Sequence, residues 1–170
     1  MARVLILVVS DSASQGEHAD KSGESIRHWC GRRGDTVVAK VQVADDTSQI
    51  SPVLIEWCDS GQVDLILTTG GTGLAPRDVT PEATLAVIDR EAQGIAEYIR
   101  ANSFVRFPMA ALSRSVAGTR GKTLIINLPG SLTGTQDGLA TILGIIDHAL
   151  DILTGNVSRH ETPFGTPVIQ

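Results

Sequence analysis

The sequence predicts an α/β protein, a three-layer α/β/α sandwich around a mostly parallel sheet. Short, β-branched apolar runs alternate with helical patterns along the whole chain. Polar, turn-forming segments follow four of the apolar or strand-like runs. A length of 170 residues with 42% hydrophobic content suits one domain with a substantial core. Strands that alternate with helices are joined by right-handed crossovers, which place helices on both faces of the sheet.

The run Val4-Leu5-Ile6-Leu7-Val8-Val9 is continuously apolar and stops at Ser10-Asp11-Ser12, as expected of a strand buried on both faces. A helix is expected over 22–33, broken by Gly34-Asp35, and a second strand over 36–43. Thr47 or Ser48 is suited to cap the next helix, with Pro52 in its first turn. Ile50, Val53, Leu54 and Trp57 share one face of that helix, and Gly61 ends it. A third strand over 65–68 leads into Thr69-Gly70-Gly71-Thr72-Gly73. Thr80-Pro81 marks a helix start, with Thr80 as cap and the helix running to about residue 90. A helix over 94–103 and a strand over 123–127 follow, then a turn at Leu128-Pro129-Gly130-Ser131. Leu139, Ile142, Leu143, Ile146, Leu150 and Leu153 form the stripe of one long closing helix. The domain is expected to span 1–154, with 155–170 an extended or disordered tail.

A net charge of −5 speaks against nucleic acid or an anionic membrane as partner, because both are met by basic surfaces. A small anionic ligand needs only local donors and stays open. No span of membrane length and no leader pattern is visible. Cys30 and Cys58 lie in helical apolar patterns and read as reduced, packed thiols of a cytoplasmic protein. His18, His28, His148 and His160 are scattered and give a zinc or iron site no support. Trp29 and Trp57 read as core.

In a parallel sheet the carboxyl ends of the strands share an edge where ligands bind. Ser10-Asp11-Ser12, Asp45-Asp46, 69–80 and 127–131 are therefore expected to meet there. The glycines at 70, 71 and 73 let main chain approach an anion, and the neighbouring hydroxyls add donors. This loop matches neither the P-loop nor the dinucleotide fingerprint. Arg77 and Asp78 directly precede a helix start, where an anion is favoured. Asp78 is a candidate Mg²⁺ ligand and Asp45 the second carboxylate, with Asp46 its competitor or helper. The alternative is that Asp78 caps the helix and Arg77 pairs with a surface acid. Ser113-Arg114-Ser115 and residues 118–122 add basic and hydroxyl groups, read with equal weight as site or solvated surface.

The segments Thr68-Thr69-Gly70-Gly71-Thr72-Gly73, Pro76-Arg77-Asp78-Val79-Thr80-Pro81-Glu82-Ala83-Thr84, Leu112-Ser113-Arg114 and Ile126-Asn127-Leu128-Pro129-Gly130-Ser131 closely resemble the molybdopterin adenylyltransferase family. That family includes bacterial Mog and MoaB proteins and the gephyrin G domain. The likeness runs from about Arg3 to Leu153. It implies the molybdenum cofactor biosynthesis protein fold, a homotrimer, and attack of the molybdopterin phosphate on Mg-ATP to give adenylyl-molybdopterin and pyrophosphate. By motif it implies Asp45 and Asp78 as catalytic and metal-holding acids, and Ser113 and Asn127 in the pterin pocket, with Pro129, Gly130 and Ser131 closing the same crevice. It places Ser12, Thr69, Gly70, Gly71, Thr72 and Gly73 on nucleotide or phosphate, beside Arg77, which its place before the helix start already marks as a phosphate donor. Relatives often read Pro-Asp-Glu where this chain has Ala44-Asp45-Asp46. The other function class the resemblance allows is a catalytically idle pterin-binding or scaffold trimer, with other cofactor-biosynthesis proteins as partners.

Overall fold

The computed structural model describes residues 1–11 and 20–156. One six-stranded sheet runs in the order β2-β1-β3-β6-β5-β4. Its strands are β1 (Arg3–Val9), β2 (Thr36–Val43), β3 (Leu65–Thr69), β4 (Arg90–Glu91), β5 (Ala117–Arg120) and β6 (Thr123–Leu128). The first four in that order are parallel, and β5 runs antiparallel to both of its neighbours. The α/β fold and its mostly parallel sheet are thus as the sequence predicts.

Helices α1 (Lys21–Arg33), α2 (Thr47–Asp59), α3 (Thr80–Leu85), α4 (Gln93–Phe104), α5 (Leu132–Ile142) and α6 (Ile146–Thr154) form the outer layers. Side chains alternate along each strand, so β1 feeds two cores. Val4, Ile6 and Val8 pack with Ile26 and Trp29 of α1, Ile99 of α4 and Leu139 of α5. Leu5, Leu7 and Val9 pack with Ile50 and Leu54 of α2 and Ala83 of α3. Burial on both faces explains why β1 is apolar without alternation. Cys30 and Cys58 are free and buried, one in each core, and burial pushes both thiols up to about 11. No helix among the described residues is long and apolar enough to cross a membrane.

Several elements differ from the sequence expectation. Asp46 caps α2, its carboxylate accepting from the Ser48 amide at 2.8 Å, and Thr47 is already helical. Pro52 lies inside that helix, beyond the first turn. Thr80 does not cap α3. Its fully buried hydroxyl donates to Gly70 O at 2.9 Å and its amide to Gly71 O at 3.0 Å, so it clasps the glycine loop instead. Helix α3 ends at Leu85, because Arg90 and Glu91 must pair with Thr119 and Gly118 as an edge strand. Residues 118–122, read as a basic loop, instead form most of β5 and the two-residue turn Gly121-Lys122 of a hairpin, Gly121 being left-handed at φ 55°. The closing helix is two helices, broken at residues 143–145, and Leu143 is half exposed. Gly155 caps α6 in the left-handed conformation. The tail expectation, from residue 157 on, lies outside the described residues.

Candidate functional site

The four polar segments converge as the sheet topology requires. Strands β1, β3 and β6 are in register, and their carboxyl ends deliver Ser10 and Asp11, Gly70, and Pro129 and Gly130 to one edge. The Gly70 amide donates to Leu128 O at 3.3 Å, and the buried Thr69 hydroxyl donates to Pro129 O at 2.7 Å. A Cβ on Gly70 would lie 2.0 Å from Val9 O, and one on Gly130 3.1 Å from the Gly70 Cα. Only glycine lets these three strand ends approach so closely. Gly70 and Gly71 adopt φ of 100° and 62°, which supplies the sharp turn.

Two lobes flank this loop. The larger, about 610 Å³, lies between the loop, α4, the 3₁₀ turn Pro108–Leu112 and the start of α5. Phe107, Met109 and Leu112 give it an apolar wall, and Thr72, Gly73, Ser113, Pro129 and Ser131 line it as well. The smaller, about 440 Å³, is polar and holds Asp45, Thr69 and Gly70 together with Asp20, Lys21 and Ser22. Gly71, Asp78 and Gly130 line both lobes, so Asp78 stands where they meet.

Asp45 and Asp46 point apart. Asp46 is spent on the α2 cap, and the Ser48 hydroxyl and amide hold its carboxyl below the usual range. Asp45 turns inward, where it accepts from the Asp11 amide at 3.0 Å and burial pushes its carboxyl above its ordinary value. Asp78 Oδ2 accepts from the Ala75 amide at 2.8 Å and closes the turn 75–78. It does not cap α3, whose N-cap Val79 makes no side-chain cap bond. A Cβ on Gly71 would lie 2.8 Å from Asp45 Oδ1, and one on Gly73 2.8 Å from Asp78 Oδ2, so both carboxylates border the loop.

Two expected site residues line neither lobe, and a third is not among the described residues. Asn127 is fully buried and lines neither lobe: its Nδ2 donates to the Thr68 and Thr84 hydroxyls at 3.0 Å each, and its Oδ1 accepts from the Val116 amide. It ties β3, α3 and β6 together beneath the site. Arg77 also lines neither lobe, its guanidinium being paired with Asp11. Ser12 lies outside the described residues. Ser131 lines the larger lobe while its hydroxyl caps α5 by accepting from the Gly134 amide.

Sequence reasoning undervalued Arg114, and placed Asp11 at the site edge without giving it a role. Arg114 Nε donates to Gly73 O at 2.7 Å, its other nitrogens reach Asp78 O and the Glu82 carboxylate, and its amide donates to Thr72 O at 2.9 Å. One side chain thereby braces both ends of the segment from the glycine loop to α3. Asp11, at the end of β1, bonds both Asp45 and Arg77. Its position after the first strand was a usable signal. The wall residues Phe107 and Met109 had none, since an irregular 3₁₀ segment leaves no period.

The family model described as "Probable molybdopterin binding domain" matches residues 5–148. A molybdopterin adenylyltransferase of Helicobacter pylori (strain J99) is 39% identical over 156 residues, covering 89% of this chain and 87% of that protein. The molybdenum cofactor synthesis protein cinnamon of Drosophila melanogaster is 39% identical over 154 residues, covering 90% of this chain and 26% of its own length, so this chain spans about a quarter of it. Among solved structures, the molybdopterin biosynthesis enzyme MoaB of Thermus thermophilus superposes with a TM-score of 0.86 at 49% identity, over 91% of this chain and 98% of that one. With the fold, the glycine loop and the two inward carboxylates in the arrangement described, the chain belongs to this molybdopterin-binding family.

Proposed function

We propose that the chain is a molybdopterin adenylyltransferase, acting on molybdopterin and ATP in molybdenum cofactor biosynthesis. The observation that supports this most directly is the meeting of Asp45 and Asp78 beside a glycine loop between an apolar and a polar lobe. A flat bicyclic pterin suits the wall of Phe107, Met109 and Leu112, and a triphosphate suits the lobe of Lys21, Gly70 and Gly71. The reacting groups then meet at Asp78, common to both. An oxygen of the molybdopterin phosphate attacks the α-phosphorus of ATP, the bond to the bridging oxygen breaks, and pyrophosphate leaves. Such a transfer asks for alignment and charge neutralisation rather than a covalent intermediate.

The donor set fits Mg²⁺. Among the described residues no group of three or more His, Cys, Asp or Glu forms a ready-made cage. Mg²⁺ is commonly held by one or two carboxylates together with substrate phosphates, which Asp45 and Asp78 would provide. Bound there, it would neutralise phosphate charge. We further place the protein in the cytoplasm, which suits two reduced, buried thiols. We take it to be a homotrimer, for which the exposed Phe104, Val105 and Met109 offer apolar surface; sedimentation as a monomer would refute that.

The test is pyrophosphate release from ATP and molybdopterin, by the parent protein and by Asp78→Asn. Asparagine retains an acceptor for the Ala75 amide and removes the charge. The rate is expected to fall about a hundred- to a thousandfold, while the melting temperature changes by less than roughly 3 °C. Binding of molybdopterin without pyrophosphate release by the parent would instead mark an idle pterin-binding scaffold.

A further inference from the structure

Arg77 has the charge and the place in sequence of a phosphate ligand, yet its guanidinium is engaged by a carboxylate of this chain. Its Nε and Nη2 donate to Asp11 Oδ2 and Oδ1 at 2.6 and 2.8 Å. Asp11 in turn makes a reciprocal pair with Asp45: the Asp45 amide donates to Asp11 Oδ1 at 3.0 Å, and the Asp11 amide donates to Asp45 Oδ2 at 3.0 Å. Three residues, from the end of β1, the end of β2 and the turn before α3, are therefore joined by directional bonds.

The charges explain the order of the chain. Asp45 faces the like charges of Asp11 and, after it, Asp78, and the Arg77 guanidinium offsets part of that repulsion. With the Arg77 guanidinium on its far side, Asp11 can sit against Asp45 and offer its amide. The Arg77–Asp11 pair is 65% and 37% exposed at its side chains, and an ion pair so open to solvent adds little to folding. Its effect lies in orientation.

We infer that Arg77 and Asp11 are positioning residues for adenylyl transfer: Arg77 is the counter-ion that holds Asp11, and Asp11 fixes the Asp45 carboxylate toward the lobe that receives the metal-nucleotide. The inference rests on the adenylyltransferase reading. Arg77 then acts on the reaction through Asp11 and Asp45, not by gripping phosphate.

A double-mutant cycle tests this with Arg77→Gln, Asp11→Asn and the pair. Three quantities are read: Mn²⁺ affinity at saturating ATP by electron paramagnetic resonance, kcat and KM for molybdopterin, and melting temperature. Residues that orient a metal ligand typically influence affinity or rate ten- to a hundredfold, so each single change should weaken Mn²⁺ and lower kcat by roughly tenfold. KM for molybdopterin should stay within about twofold, and the double variant should be no worse than the worse single one, as expected of residues acting in series. Effects that multiply, or unchanged Mn²⁺ affinity in Arg77→Gln, would overturn the inference. Asparagine at 11 keeps an acceptor for the Asp45 amide; should that variant not fold, Arg77→Gln alone decides. Arg77→Lys, which restores the counter-charge but not the two-pronged bond, should recover part of the Mn²⁺ affinity lost in Arg77→Gln, and no recovery at all counts against a counter-ion role. If the parent releases no pyrophosphate, the functional reading falls, while the Mn²⁺ measurements still decide whether Arg77 acts through Asp11.

Discussion

Asp45 and Asp46 are chemically identical neighbours with opposite surroundings, and their variants should separate cleanly. Burial raises the Asp45 carboxyl above its ordinary value. The folded state therefore takes up that proton more readily than the unfolded chain. The resulting stability is complete below the ordinary carboxylate pKa and is lost as pH rises through the higher folded value. Near neutral pH the ionised group costs stability, so Asp45→Asn should melt at the same or a higher temperature than the parent, an advantage that vanishes below about pH 4. Its turnover should nonetheless fall roughly a hundredfold or more. Asp46→Ala, which removes the α2 cap, should do the reverse: a melting point lower by about 2–4 °C with turnover unchanged. Calorimetric scans across pH with parallel pyrophosphate assays check both. The sequence marked the pair but could not order it, because either aspartate can cap a helix. Which one caps depends on the Asp11 amide, brought to Asp45 from the end of the neighbouring strand β1. Asn127 shows a related limit of the sequence. A polar residue at a strand end reads as a ligand group, and only the surrounding Thr68, Thr84 and Val116 reveal that its donors and acceptor are satisfied internally.

At the scale of elements, the glycine loop is a rigid joint. Gly70→Ala sets a Cβ 2.0 Å from a main-chain oxygen at φ 100° and should cost more than about 3 kcal/mol. In Gly71→Ala the Cβ meets the Thr80 hydroxyl at 2.4 Å and Asp45 Oδ1 at 2.8 Å. It should cost about 1–3 kcal/mol and weaken ATP binding through displacement of Asp45. Gly31 in α1 has open space around a Cβ, so Gly31→Ala should instead gain about 0.5–1 kcal/mol. Urea unfolding of the three variants gives the order. The parallel strands and long helices were legible because burial on one or two faces writes a period into the sequence. The edge elements were not. Strand β4 is two exposed residues, β5 includes a glycine and an arginine, and each exists because a neighbour offers a partner, β6 to β5 and β5 to β4, rather than because of its own pattern. The break between α5 and α6 was hidden since Ile142 and Ile146 stay buried on either side of it.

The whole molecule joins its site to its stability. The lobes are closed by the ends of β1, β2, β3 and β6, segments far apart in sequence, together with the 3₁₀ wall, the starts of α1 and α5 and the second half of α4. A ligand that bridges these ends binds the folded chain and has no counterpart in the unfolded one. Its effect on stability follows from mass action: at a hundred times its Kd, Mg-ATP should add about 2.7 kcal/mol. For a chain of this length that corresponds to an upward shift in melting temperature of roughly 5–10 °C. The shift should survive in Asp46→Ala, whose defect lies outside the lobe, and collapse in Asp45→Asn, which retains the fold but lacks the inward charge. Molybdopterin should raise the melting point of both, because the larger lobe is lined by Asp78 and not by Asp45. Differential scanning calorimetry with each ligand alone, then both, therefore assigns ligands to lobes without any turnover. Equal loss of both shifts in Asp45→Asn would mean that the two lobes accept a single ligand between them, and the division of substrates across Asp78 would have to be abandoned.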